Sequence, residues 1–137
     1  MRKLIFLAII ICVAISLTTL MILLVPSQVI EEQEVAIDLQ VDDEMIGFNT
    51  DTEAIHLGRV HSPGSSERGI DVRNDHTFPL QGTIYLRGNI TSYVRVNATV
   101  FELQPSETER IIFYSRVPAD TPNGNYSGFV KIEYRKG

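Results

Sequence analysis

The 137-residue chain has no Trp and a single cysteine, Cys12. One Cys excludes an intramolecular disulfide framework and a Cys-based zinc site. Charge is unevenly absent as well: residues 4–25 carry none, no acidic residue precedes Glu31, and residues 31–53 contain no Lys or Arg. Beyond the apolar run, ten basic residues stand against all seventeen acidic ones. A net-negative exterior lacks the clustered Lys and Arg that phosphate contacts need, so no nucleic-acid partner is expected. No Gly-rich loop opens a helix, and neither G-x-S-x-G nor H-x-x-x-H spacing occurs. The sequence therefore carries no motif for a nucleotide cradle, a serine nucleophile or a paired-His metal site. The chain is expected to be no enzyme, to hold no metal or cofactor, and to take no small-molecule substrate.

What is present first is a long apolar run. Leu4 to Val25 reads LIFLAIIICVAISLTTLMILLV, with Ser16, Thr18 and Thr19 as its only polar members. As a helix it would be roughly 33 Å long, enough for a hydrocarbon core of about 30 Å. The three hydroxyls can bond back to helix carbonyls. Arg2 and Lys3 precede the run and Glu31, Glu32 and Glu34 follow it. The positive-inside rule then places residues 1–3 in the cytoplasm, 4–25 in the cell membrane, and the rest outside. A cleaved signal peptide fits less well, because the residues before Pro26 are Met21 to Val25 and offer no small-x-small site. A lipoprotein signal wants a small residue before its Cys, and Ile11 stands there. Cys12 is expected to pack in the bilayer as a small apolar side chain.

Residues 26–53 form an acidic juxtamembrane segment. Nine carboxylates lie in it: Glu31, Glu32, Glu34, Asp38, Asp42, Asp43, Glu44, Asp51 and Glu53. A divalent-cation site or a docking strip is one reading. A solvated spacer that holds the domain off anionic lipid is the favoured one. Within the segment, residues 35–41 alternate as a first strand would, with Val35, Ile37, Leu39 and Val41 on one side.

Residues 54–137 read as an all-β domain. Apolar residues recur with period two, and no stretch keeps a helical spacing. Candidate strands lie near 55–60, 68–73, 80–87, 93–101, 109–117 and 126–135, at the 8–12-residue interval of sandwiches. Turn clusters separate them, among them Ser62-Pro63-Gly64-Ser65-Ser66, Asn74-Asp75-His76, Gly88-Asn89 and Asp120-Thr121-Pro122-Asn123-Gly124. In the last strand Tyr126, Gly128, Val130, Ile132 and Tyr134 should point inward, with Ser127, Lys131, Glu133 and Arg135 outward. Phe129 interrupts the outward set and is expected to pack under a loop.

Three segments carry a resemblance. IHLGRVHSPGSSERGIDVRN at 55–74, FELQPSETERIIF at 101–113 and RVPADTPNGNYSGFVKIEY at 116–134 resemble the opening, the Leu-x-Pro-x-Glu corner and the close of immunoglobulin-like domains. Major-sperm-protein-like domains and the Ig-like modules of archaeal-type envelope proteins share that pattern. The resemblance covers about residues 54–135. It implies an Ig-like β-sandwich ectodomain behind one N-terminal transmembrane helix, and it brings no catalytic residues. Such modules often occur in tandem, whereas one copy is present here.

Three N-x-S/T sequons mark acceptor sites for N-glycosylation: Asn89, Asn97 and Asn125. Asn89 and Asn125 fall at expected turns and Asn97 inside an expected strand. His56, His61 and His76 are expected to be ordinary loop histidines. The function these features imply is protein–protein contact, as an accessory or interaction subunit of a membrane or cell-surface assembly. The partners would be the membrane itself and other membrane or envelope proteins. The alternatives are an envelope carbohydrate- or Ca²⁺-binding module, or a surface-layer anchor. The last resembles archaellum stator proteins, which also join one helix to an exterior sandwich.

Overall fold

The computed structural model describes residues 1–24, 28–43 and 53–137. The chain is mostly β with one N-terminal apolar helix, α1 (Arg2–Leu24). The expected end of the helix at Val25 lies outside the described residues. Ser16 donates to the Cys12 carbonyl at 2.9 Å, Thr18 to that of Ala14 at 3.0 Å, and Thr19 to that of Ile15 at 2.8 Å. Each hydroxyl is thus satisfied without water, as an apolar surrounding requires. The stretch Lys3–Ile22 is long and apolar enough to cross a membrane, and none of it is buried by the other described residues.

Among the described residues eight strands follow: β1 (Val29–Val41), β2 (Ala54–Val60), β3 (Gly64–Arg73), β4 (Leu80–Gly88), β5 (Val94–Val96), β6 (Val100–Leu103), β7 (Thr108–Val117) and β8 (Gly124–Lys136). A 3₁₀ turn, Asn89–Ser92, sits between β4 and β5. One sheet has the order β2-β1-β8-β4-β6 and the other β3-β7-β5. All pairings among the described residues are antiparallel except β1 with β2. Both sheets contribute to one core, with Ile37, Leu39, Ile84, Val130 and Ile132 from the first and Val94, Ile111, Phe113 and Val117 from the second. Burial of these branched and aromatic side chains is the dominant stabilising term in a domain without disulfides.

Close approach explains two glycines. Gly82 on β4 stands opposite Phe101 on β6, and a Cβ there would overlap the aromatic ring. Gly128 on β8 lies against the Arg87 carbonyl, and a Cβ would overlap backbone. Each lets a neighbour sit where a larger residue would push the strands apart.

Several expectations need correction. The acidic segment is not a spacer over its first half. β1 begins at Val29, six residues before the expected strand, and lies between β2 and β8. The boundary at residue 54 therefore does not divide the fold. Glu44 and Asp51 lie outside the described residues. The expected strand 93–101 is two strands, β5 and β6, which belong to different sheets. Its alternation is real in both halves, but the chain crosses between sheets at 97–99. Gly64 to Ser66 and Gly124, read as turn residues, open β3 and β8. Phe129 does not pack under a loop; it is 53% exposed on the outer face. The inward set of β1, Ile37, Leu39 and Val41, is buried as the alternation required, with Val35 partly so.

Candidate interaction site

A cleft arises from unequal strand lengths. β1 has thirteen residues and β2 only seven, and β2 pairs with β1 from Ala36 to Val41. Among the described residues, Val29–Val35 thus has a strand neighbour on one side alone, β8. Across the gap, β3 pairs with β7 and with no other described strand. Between these two unpaired edges lies a cleft of about 450 Å³. Val35, Ile70, Val72 and Tyr134 give it an apolar floor, and Glu31, Gln33 and Arg68 line its sides. Burial pushes the Tyr134 phenol up to about 12, and the Glu31 carboxylate adds to the shift. The phenol is therefore neutral over the physiological range.

Glu31 and Gln33 occupy inward positions of β1, which is why the sequence did not read as a strand there. Glu31 lies 3.7 Å from His76 Nε2. His76 stacks on Phe78, and the Lys136 ammonium sits over the same Phe78 ring. Arg73 pairs with Asp75 at 3.0 Å and Arg110 with Asp71 at 3.3 Å. The cleft rim is thus charged, with Arg73 committed to Asp75.

On the outer face, Glu32 stands opposite Glu133, a like-charge pair that costs stability by itself. Lys131 resolves it, reaching Glu32 at 3.0 Å and Glu133 at 2.9 Å. Arg135 approaches Glu133 at 3.4 Å. The side chains of Lys131 and Glu133 are only 20% and 14% exposed, so this row points outward yet is well covered. The Lys131 ammonium holds the Glu133 carboxyl below its ordinary value, and the Glu133 and Glu32 carboxylates raise that of Lys131. A carboxyl lowered on folding contributes stability above its unfolded pKa, which is lost as pH falls through the folded one. Lys131→Met should therefore lower the melting temperature at pH 7 and cost progressively less as Glu133 is protonated in acid. Melting curves of both proteins at pH 7 and pH 3 check this, and an equal loss at the two values would mean that packing, not charge, is what Lys131 supplies.

The residues singled out from sequence fall in separate places. Asn89 opens the 3₁₀ turn, and its Oδ1 accepts the Ser127 N–H at 2.8 Å. Asn97 lies between β5 and β6, not in a strand. Its Oδ1 accepts the Ile112 N–H at 2.9 Å, while its own N–H donates to the Ile112 carbonyl at 3.0 Å. Asn125 lies in β8 opposite Gln40, not at a turn. All three are exposed. His56 is no loop residue: it lies on β2, with Nδ1 2.6 Å from Asp38 and its side chain 12% exposed. Its Nε2 is buried without a partner among the described residues. Asp43 accepts from Asn123 at 3.3 Å, and Arg59 approaches Asp42 at 3.8 Å. Among the described residues, no three His, Cys, Asp or Glu converge as metal ligands. Compared with protein-family models, curated proteins and solved structures, the chain matches none of them.

Proposed function

We propose that this chain is a single-pass membrane protein whose β-domain lies outside the cell and acts by protein–protein contact, as an accessory or interaction subunit of a membrane or cell-surface assembly. The observation that carries the reading is the Lys3–Ile22 helix, unburied by the other described residues, followed in the chain by β1, a strand of a sheet with its own core. Exposed Leu, Ile, Val and Phe in such number need an apolar surrounding. Arg2 and Lys3 before the helix and the acidic β1 after it favour an exterior domain. An Ig-like class for that domain is supported by the two sheets around one core and by the Leu103-x-Pro105-x-Glu107 corner. Exposure of Asn89, Asn97 and Asn125 suits glycan attachment on an exterior face. Unpaired strand edges suit contact with a partner.

Protease added to intact cells should remove the β-domain and leave the helix in the membrane fraction. A gel shift on enzymatic deglycosylation, absent when the three sequon asparagines are changed to Gln, would place the same domain outside independently. A β-domain protected in intact cells and cut only after lysis would sink the topology. Release of the intact domain without protease would sink the anchor.

A further inference from the structure

The cleft below β2 has the form of an incomplete sheet. β1 continues for seven residues past the point where β2 begins, and its Val29–Val35 edge opens toward β3. A strand laid along this edge would extend the sheet in line with β2. Every second side chain would enter the cleft beside Glu31, Gln33 and Val35 and over Ile70, Val72 and Tyr134, and the others would lie on the outer face beside Glu32 and Glu34. Cross-strand neighbours stand about 5 Å apart, so those outer positions are read by charge. Glu34 stands opposite Lys131 in the ladder, but that ammonium reaches Glu32 and Glu133, and Glu34 makes no ion pair among the described residues. A second copy of this chain offering the same edge would set Glu32 and Glu34 against their own kind, which disfavours self-pairing. The edge also lies near the bilayer: residues 25–28 can hold Val29 at most about 18 Å from the end of the helix.

We infer that the Val29–Val35 edge of β1 is a strand-addition site for an extended segment of another membrane protein, basic at its outward positions and small and apolar at its inward ones. This rests on the reading of the chain as an anchored interaction subunit and specifies where the contact is made. Backbone hydrogen bonds along β1 would supply affinity, and the cleft and Glu34 would supply selectivity.

The test uses the full chain in zwitterionic phosphatidylcholine nanodiscs and a fluorescent nonapeptide alternating Lys with Val, with empty nanodiscs as the blank. The peptide is expected to bind the loaded discs. Binding should fall at least tenfold when alternate peptide nitrogens are methylated, which removes donors and blocks the edge. It should fall as far in Glu34→Arg, and for a nonapeptide alternating Glu with Val. Hydrogen exchange should slow at amides of residues 29–35 that face away from β8, and not along β5. Absence of binding would overturn the site. So would binding indifferent to methylation or to Glu34→Arg, or protection confined to another edge. Slow exchange at these amides in the chain alone, or self-association through them, would show the edge already covered and overturn it too. Protease accessibility of Glu34→Arg on intact cells is measured alongside, so failure of the cleft and failure of the anchored topology are read separately.

Discussion

Asn74→Ala is expected to be among the most damaging single substitutions in the β-domain, although position 74 belongs to a loop. Asn74 is completely buried. Its Nδ2 donates to the Phe78 carbonyl at 2.9 Å and to the Leu103 carbonyl at 3.0 Å, and its Oδ1 accepts the His76 N–H at 2.9 Å. Its main chain is also tied, donating to the Glu107 carbonyl and accepting from Ser106, both at 2.9 Å. One amide thus closes the 74–79 loop on itself and fastens it to the turn between β6 and β7. Alanine removes the amide's bonds to three backbone groups, the Phe78 and Leu103 carbonyls and the His76 N–H. An orphaned buried polar group costs about 1–3 kcal/mol, so a loss of about 3 kcal/mol or more is expected. Asn74→Asp separates shape from hydrogen bonding. It keeps the volume but presents an acceptor to two carbonyls, and should be as damaging at pH 7 while recovering in part once the carboxyl is protonated. Thermal unfolding of the detergent-solubilised chain, followed by its sheet circular dichroism, measures both. A loss under about 0.5 kcal/mol for Asn74→Ala would mean that water replaces the amide and that the loop is not fastened this way.

Asn74 also shows what sequence could and could not reveal. An Asn-Asp-His cluster reads as a turn, and a turn is there, because Asn side chains bond the backbone two residues on. The bonds to Leu103 and the 104–107 turn join segments about thirty residues apart, and no local pattern announces them. The same division runs through the fold. The helix was legible from an uncharged run, and β8 from its alternation, since both periodicities are set by which side chains meet water. The crossing at 97–99 was not, because the sequence keeps alternating through Val94, Val96, Ala98 and Val100 with no Gly or Pro to mark a change of sheet, whereas the buried set shifts phase to Phe101 and Leu103. The cleft was hidden for a different reason. It exists because β2 stops short of the start of β1, a fact of strand pairing, while Glu31 and Gln33 at inward positions disguise that part of the strand as solvated chain. Acidic residues there read locally as a charge run, and the partners that fix Glu32 and Asp38, namely Lys131 and His56, lie on other strands.

Ile132→Ala should cost about 2–5 kcal/mol, because β8 is the strand on which the larger sheet depends. It lies between β1 and β4, and Ile132 stands opposite Gln33 on one side and Ile84 on the other. The side chain is 1% exposed and belongs to the core shared by both sheets. Removing three carbons leaves a cavity that β-strands held on both sides can close only in part, so the cavity adds to the lost transfer energy. For a domain of this size each kcal/mol lowers the melting temperature by about 4 °C or more, giving an expected drop of roughly 8–20 °C. Phe129→Ala, three residues away on the same strand, is the matched comparison. It removes more apolar surface, but from a ring that is 53% exposed, so it should cost distinctly less than Ile132→Ala. If the two variants melt together, either the register of β8 is shifted by one residue, which would exchange its two faces, or Phe129 is covered by a contact that the isolated chain does not make. Hydrogen exchange along β1 and β4 in the Phe129 variant separates those outcomes, since a shifted register alters protection on both neighbours and a lost external contact on neither.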